Sequence, residues 1–188
     1  LVVAADVRRE GHDVTIFALS SNLTANEARI VSIGMPKSLF WQRVYRLLFP
    51  LDLIKVFYWF PKLKGYDEVI SHLYPMNWLA FLAKATYGIK YTYWYHGIPH
   101  PSLYSSFIER SYLRAFICFT KISISNADRI VAVSNYANDE LKSHTGLQGE
   151  VIYNRPDPEI FRLGINGSEI RKKYNLEGHP VLLTVGRV

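Results

Sequence analysis

The 188-residue sequence holds one cysteine, Cys118. No intrachain disulfide can form, and that usage suits a reducing, cytoplasmic compartment. Cys118 stands in the apolar run AFICFT (115–120), which predicts a buried, inert thiol. With one cysteine, and histidines in no ligating pattern, a metal site is not expected. There is no G-x-S-x-G, no Walker A sequence and no G-x-G-x-x-G, so three common catalytic and phosphate-binding loops are missing. No secretory leader pattern is evident, and the sequons at Asn22 and Asn166 read as chance matches. Acidic residues are scarce between 37 and 64, where Asp52 alone faces Lys37, Arg43, Arg46, Lys55, Lys62 and Lys64.

That window carries nearly all of the net charge of +6. It also contains LFWQRVYRLLFP and LIKVFYWFP. Charges interrupt the apolar residues and Pro50 divides them, so a membrane span is excluded. A basic, aromatic stretch fits contact with an anionic bilayer over residues 38–62. The competing reading is two core-packed helices with Arg and Lys reaching to water. Nucleic acid is not expected as a partner, because no reader motif accompanies the charge.

What remains is ordinary for a globular domain: 49% hydrophobic and 20% charged residues. Helical and extended patterns alternate. Strands are predicted over 13–19, 28–34, 66–73, 89–96, 128–134 and 149–154. Helices are predicted over 38–49 and 51–60, from Pro75 to Gly88, and over about 103–124. The 103–124 helix is expected to bury a stripe of Ile108, Tyr112, Ala115, Phe119 and Ile122. The helix from Pro75 is expected to show Trp78, Leu82 and Ala85 on one face. Ser134 or Asn135 is placed to cap the helix after the fifth strand. Such alternation predicts an α/β fold, a parallel sheet with helices on both faces. The opening helix runs directly into a strand, so a first strand is expected upstream. A boundary is expected near 164, where RLGINGS is polar and glycine-rich. Residues 1–164 would form one domain, and 165–188 a linker and the first strand of the next.

In open parallel sheets, ligands bind beyond the carboxyl ends of the strands. Four predicted strands end on polar or small residues: Ser71-His72, His96-Gly97, Ser134-Asn135 and Asn154-Arg155. Their convergence on one rim is the main functional signal. His96 is the favoured site residue. His72 is balanced between a site and a helix-entry role. His100, between Pro99 and Pro101, reads as an exposed loop residue, and His12 and His144 as structural.

Five segments resemble one known family: RREGHDVTIF, YDEVISHLYPMNWLAFLAKATYGIKYTYWYHGIPHP, ADRIVAVSNYANDEL, VIYNRPDPEIF and LLTVGRV. In order and spacing they are similar to the amino-terminal, acceptor-side half of the GT-B retaining glycosyltransferases of family 4. The resemblance implies a Rossmann-like domain facing a donor-binding domain across a cleft. It implies that a sugar passes from a nucleotide-sugar donor to a glycan, lipid-linked or small-molecule acceptor. No cofactor or catalytic metal is implied. On this resemblance His96 is catalytic and reaches the donor sugar. His72, Gly97, Ser134, Asn135 and Asn154 line the cleft, and Arg187 meets the donor diphosphate. Asp157 falls in the same segment as Asn154. The match departs at Ile70, where the family pairs a second histidine with His72, at Asn135 in place of an acid, and at Arg155 in place of glycine. A cytoplasmic protein, peripheral at the inner membrane face, fits this reading. Two alternatives are a GT-B-type sugar-nucleotide epimerase and a non-catalytic GT-B-like binding module. A downstream E-x7-E segment would separate the first reading from the last.

Overall fold

The computed structural model describes residues 7–20, 28–156, 161–162 and 164–183. It divides into two compact units, 1–154 and 155–188. In the first, β1 (Thr15–Ala18) pairs in parallel with β2 (Arg29–Ser32). A second ladder runs β3 (Glu68–Ser71), β4 (Lys90–Tyr95), β5 (Arg129–Ala132) and β6 (Glu150–Val151), all parallel and in that spatial order. The helices are α1 (Leu39–Leu48), α2 (Leu53–Trp59), α3 (Met76–Tyr87), α4 (Phe107–Ile124) and α5 (Asn135–Thr145). The second unit contains the short α6 (Ser168–Lys173). The α/β class and the parallel pairing are as expected. The last strand is shorter than 149–154, and residues 181–183 lie outside any strand. Arg187 and Asp157 lie outside the described residues.

β4 positions the site. Tyr91, Tyr93 and Tyr95 point to one face and are fully buried, as the period of two in a strand requires. They pack with Ala80 of α3, Ile124 of α4, and Ala137 and Leu141 of α5. A second core joins Ile33, Phe49, Val56 and Leu63 to Leu79 and Ala83 of α3. The hydroxyls of Tyr91 and Tyr95 have partners. Tyr91 meets Ser71 Oγ at 3.1 Å and donates to the Ser123 carbonyl at 3.3 Å. At the amino end of β4, Asp128 accepts from the Tyr91 N–H (2.8 Å) and from Lys84 Nζ (2.6 Å). Both bonds hold its carboxyl below the usual range.

Two helices are rotated from their expected faces. α4 turns Leu113, Phe116, Ile117 and Ile124 toward the core and leaves Ile108 and Ile122 exposed. Thr120 and Ser123 are fully buried on that inner face. Ser123 Oγ donates to the Phe119 and Thr120 carbonyls, which offsets the cost of burying a hydroxyl. Cys118 consequently points outward and is exposed, correcting the expected buried thiol. α3 buries Leu79, Ala80 and Ala83 rather than Ala85, which is exposed.

α1 and α2 divide the basic window between buried and exposed side chains, with Tyr45, Trp59 and Phe60 packed against the second core. α1 buries none of its ten residues. Of the linking turns and α2, Phe49, Val56 and Leu63 are buried. Ile54 remains 85% exposed and Leu39 79%. Core packing therefore takes up only part of the window's apolar side chains. Lys55 is not free either: its Nζ donates to the Gly34 carbonyl at 2.9 Å and to Tyr45 Oη at 3.0 Å. Asp52 caps α2, accepting from the Lys55 N–H at 3.2 Å.

Candidate functional site

The register of the second ladder sets the rim. Ser71 stands beside Tyr93, and Tyr95 beside Ala132. His72 and His96, each one residue past its strand, therefore emerge from adjacent strands at their carboxyl ends. Their rings tilt together with centroids 5.2 Å apart, and His72 Nδ1 lies 3.0 Å from His96 Nε2. Trp94, on the same face of β4, holds its ring 6.2 Å from that of His72.

At that distance one nitrogen donates and the other accepts, so the pair shares one proton between the two atoms. Enclosure by the surrounding atoms lowers the pKa of both histidines, and for His72 the neighbouring His96 lowers it further. Both shifts favour the uncharged rings. Each ring keeps its other nitrogen as a donor or an acceptor, depending on tautomer. His72 is thus a partner of His96.

Gly97 has φ of +102°, a conformation other residues rarely adopt. A Cβ there would lie 3.2 Å from Glu140 Oε2. The bend of the chain and this carboxylate both favour glycine at the position. Glu140, on α5, is a residue that sequence reading passed over. Its Oε2 accepts from Tyr95 Oη at 3.0 Å and from the Ile98 N–H at 3.1 Å, and the Ile98 N–H also reaches Tyr95 Oη at 3.0 Å. Burial raises the Tyr95 pKa, and the nearby carboxylate raises it further. This triangle fixes the turn leaving the His96 strand. Nothing in YANDELKSH marks which acid faces inward, so only the fold reveals it.

Ser134 caps α5, accepting from the Ala137 N–H at 3.1 Å. Asn135 opens the helix and is exposed. The backbone continues the ladder to this point, with the Val133 N–H donating to the Tyr95 carbonyl at 3.2 Å. Asn154 is exposed, three residues past the end of β6. The structure therefore brings His72 and His96 into contact and sets Ser134 at the next strand's end. It gives Asn135 and Asn154 no side-chain contact with that pair.

A parallel α/β unit with functional groups at the carboxyl rim is compatible with many activities. The family match narrows them: residues 3–159 match the model described as Glycosyltransferase Family 4. The chain belongs to this family. No match was found among curated proteins. The match spans both ladders and the rim residues described here, and Arg187 lies beyond it. The family 4 assignment gives the chain its general function, glycosyl transfer, and its GT-B type. Among the described residues, no helix is long and apolar enough to cross a membrane.

Proposed function

We propose that residues 1–164 form the acceptor-side domain of a retaining glycosyltransferase, with the His72–His96 pair at its reaction cleft. Residues 165–188 would lead into the donor-binding domain as linker and first strand. The observation carrying this reading is the 3.0 Å contact between two histidines at adjacent strand ends, in a chain of this family. In this reading a neutral His96 donates a hydrogen bond to the donor sugar while His72 fixes its ring and tautomer. Front-face displacement breaks the bond from the anomeric carbon to the diphosphate oxygen. The acceptor oxygen bonds to the same face, and its proton passes to the departing diphosphate. The protein contributes positioning and stabilisation of the developing charge. Ser134, Asn135 and Asn154 border the cleft, Arg187 meets the diphosphate, and no catalytic metal takes part.

The reading includes a cytoplasmic protein that docks peripherally on an anionic bilayer. Nine large apolar side chains stand exposed between Leu39 and Tyr58, among them Phe40, Trp41, Leu51 and Phe57. Exposed Arg43, Arg46 and Lys62 lie among them. Exposed apolar side chains interspersed with cations favour a headgroup–acyl boundary over water.

The test is to express the whole gene product and offer it a panel of nucleotide sugars with membrane lipid extract. Products are read by mass spectrometry and the new anomeric centre by NMR. A product with the donor's anomeric configuration supports the proposal. Inversion, epimerised nucleotide sugar or no turnover overturns it.

A further inference from the structure

A second polar cluster lies away from the histidine pair. A cavity of about 340 Å³ is lined by His100, Ser102, Arg110, Arg114, Ser143 and His144, with Pro101 and Ile117. That volume is at the small end of ligand pockets. Arg110 and Arg114 stand one turn apart on α4, where like charges repel. Neither forms an ion pair among the described residues. Arg110 Nε and His144 Nε2 are both shielded from water and have no hydrogen-bond partner. Such groups are costly unless something satisfies them.

The histidines are oriented from behind. Their rings stack with centroids 5.4 Å apart. His100 Nδ1 accepts from the Ser102 N–H at 3.3 Å and lies 2.6 Å from Ser102 Oγ. Its proton therefore sits on Nε2, which remains a donor. Behind the cavity, His144 Nδ1 lies 3.4 Å from Tyr95 Oη. The nearest acid on α5, Glu140, is engaged by Tyr95 and the Ile98 N–H. The cavity thus collects two guanidinium groups and an imidazole N–H donor, with Glu140 already committed and the Ser143 hydroxyl donating to the Glu140 carbonyl at 3.1 Å.

We propose that this cavity binds a phosphate-class oxyanion, held by Arg110, Arg114 and His100 Nε2. Arginine's planar fork suits tetrahedral oxyanions, and charge-assisted bonds to it are the strong ones. The same groups accept free phosphate or the phosphoryl end of a larger ligand. The site is independent of the sugar-transfer reading, and its test involves no sugar.

The 188-residue protein is titrated with inorganic phosphate at constant ionic strength, following the imidazole NMR signals of all six histidines. A parallel titration uses glycerol phosphate. Saturable shifts at His100 and His144, with His12 and His179 unmoved, are expected for inorganic phosphate. Tighter binding of glycerol phosphate identifies the phosphoryl end of a larger ligand; equal or weaker binding identifies free phosphate. The Arg110→Gln/Arg114→Gln variant should weaken binding by about tenfold or more, the loss expected for charge-assisted bonds, while Arg43→Gln leaves it unchanged. If the double variant does not fold, the wild-type pattern decides. Absence of saturable shifts, equal shifts with chloride, or undiminished affinity in the folded double variant overturns the proposal.

Discussion

His72 Nδ1 and His96 Nε2 share one hydrogen bond at 3.0 Å across the ends of two adjacent strands. If both rings were protonated, each nitrogen would be a donor and the bond would be lost. The pair is therefore a device that works uncharged, and its environment favours that form.

The first consequence is a pH dependence of stability. His72, His96 and His144 all have folded pKa values below the ordinary 6.5. Between the folded and unfolded values the unfolded chain binds more protons, so stability rises with pH. Their contribution is present above pH 6.5 and is lost as pH falls through the folded values. Thermal unfolding from about pH 7.5 to about pH 5 should show a falling midpoint. His72→Asn should flatten the slope. A midpoint that holds or rises on acidification contradicts this.

Asp128 and Lys84 should differ in weight. Asp128→Ala leaves the Tyr91 N–H without its partner at the start of the central strand. It should cost about 1–3 kcal/mol in denaturant unfolding, the penalty for an unsatisfied buried donor. Lys84→Ala removes only a partly exposed ion pair, worth less than about 1 kcal/mol. The reverse order would show that the backbone bond does not carry the stability.

Cys118 should react. It lies on the outer face of α4 and is exposed. One equivalent of a thiol reagent should be consumed by the native protein at a rate unchanged by denaturant. Protection until unfolding would return the helix to the face first expected from the sequence.

The apolar surface over α1 and α2 should sediment with vesicles containing anionic lipid and not with neutral ones. Trp41→Ser/Phe57→Ser should abolish co-sedimentation, and Arg43→Gln/Arg46→Gln should shift it to a higher anionic fraction. Equal binding to both lipid classes, or none, removes the docking proposal.

The parallel ladder and its polar rim were legible because β4 alternates cleanly and each strand stops on a chemically distinct residue. His72 and His96 needed no more than that strand order. The inward faces of α3 and α4 were not legible, because both helices carry large apolar residues all round. In α4 the inner face even includes Thr120 and Ser123, whose hydroxyl groups lower its apparent hydrophobicity. Glu140 was hidden for another reason: its role depends on a turn from a strand 45 residues away. Gly97 was noticed, and what the sequence did not show is its φ of +102° and the carboxylate beside it.

Steady-state transfer by the whole gene product, wild type against His96→Ala, tests the central claim most directly. With a nucleotide-sugar donor that the wild type uses, kcat should fall on the order of 100-fold, typical of losing one donor aimed at developing charge. KM should change little, and the unfolding midpoint at pH 7.5 should be retained within about 2 °C. A folded His96→Ala enzyme with undiminished kcat would place the reaction away from the histidine pair.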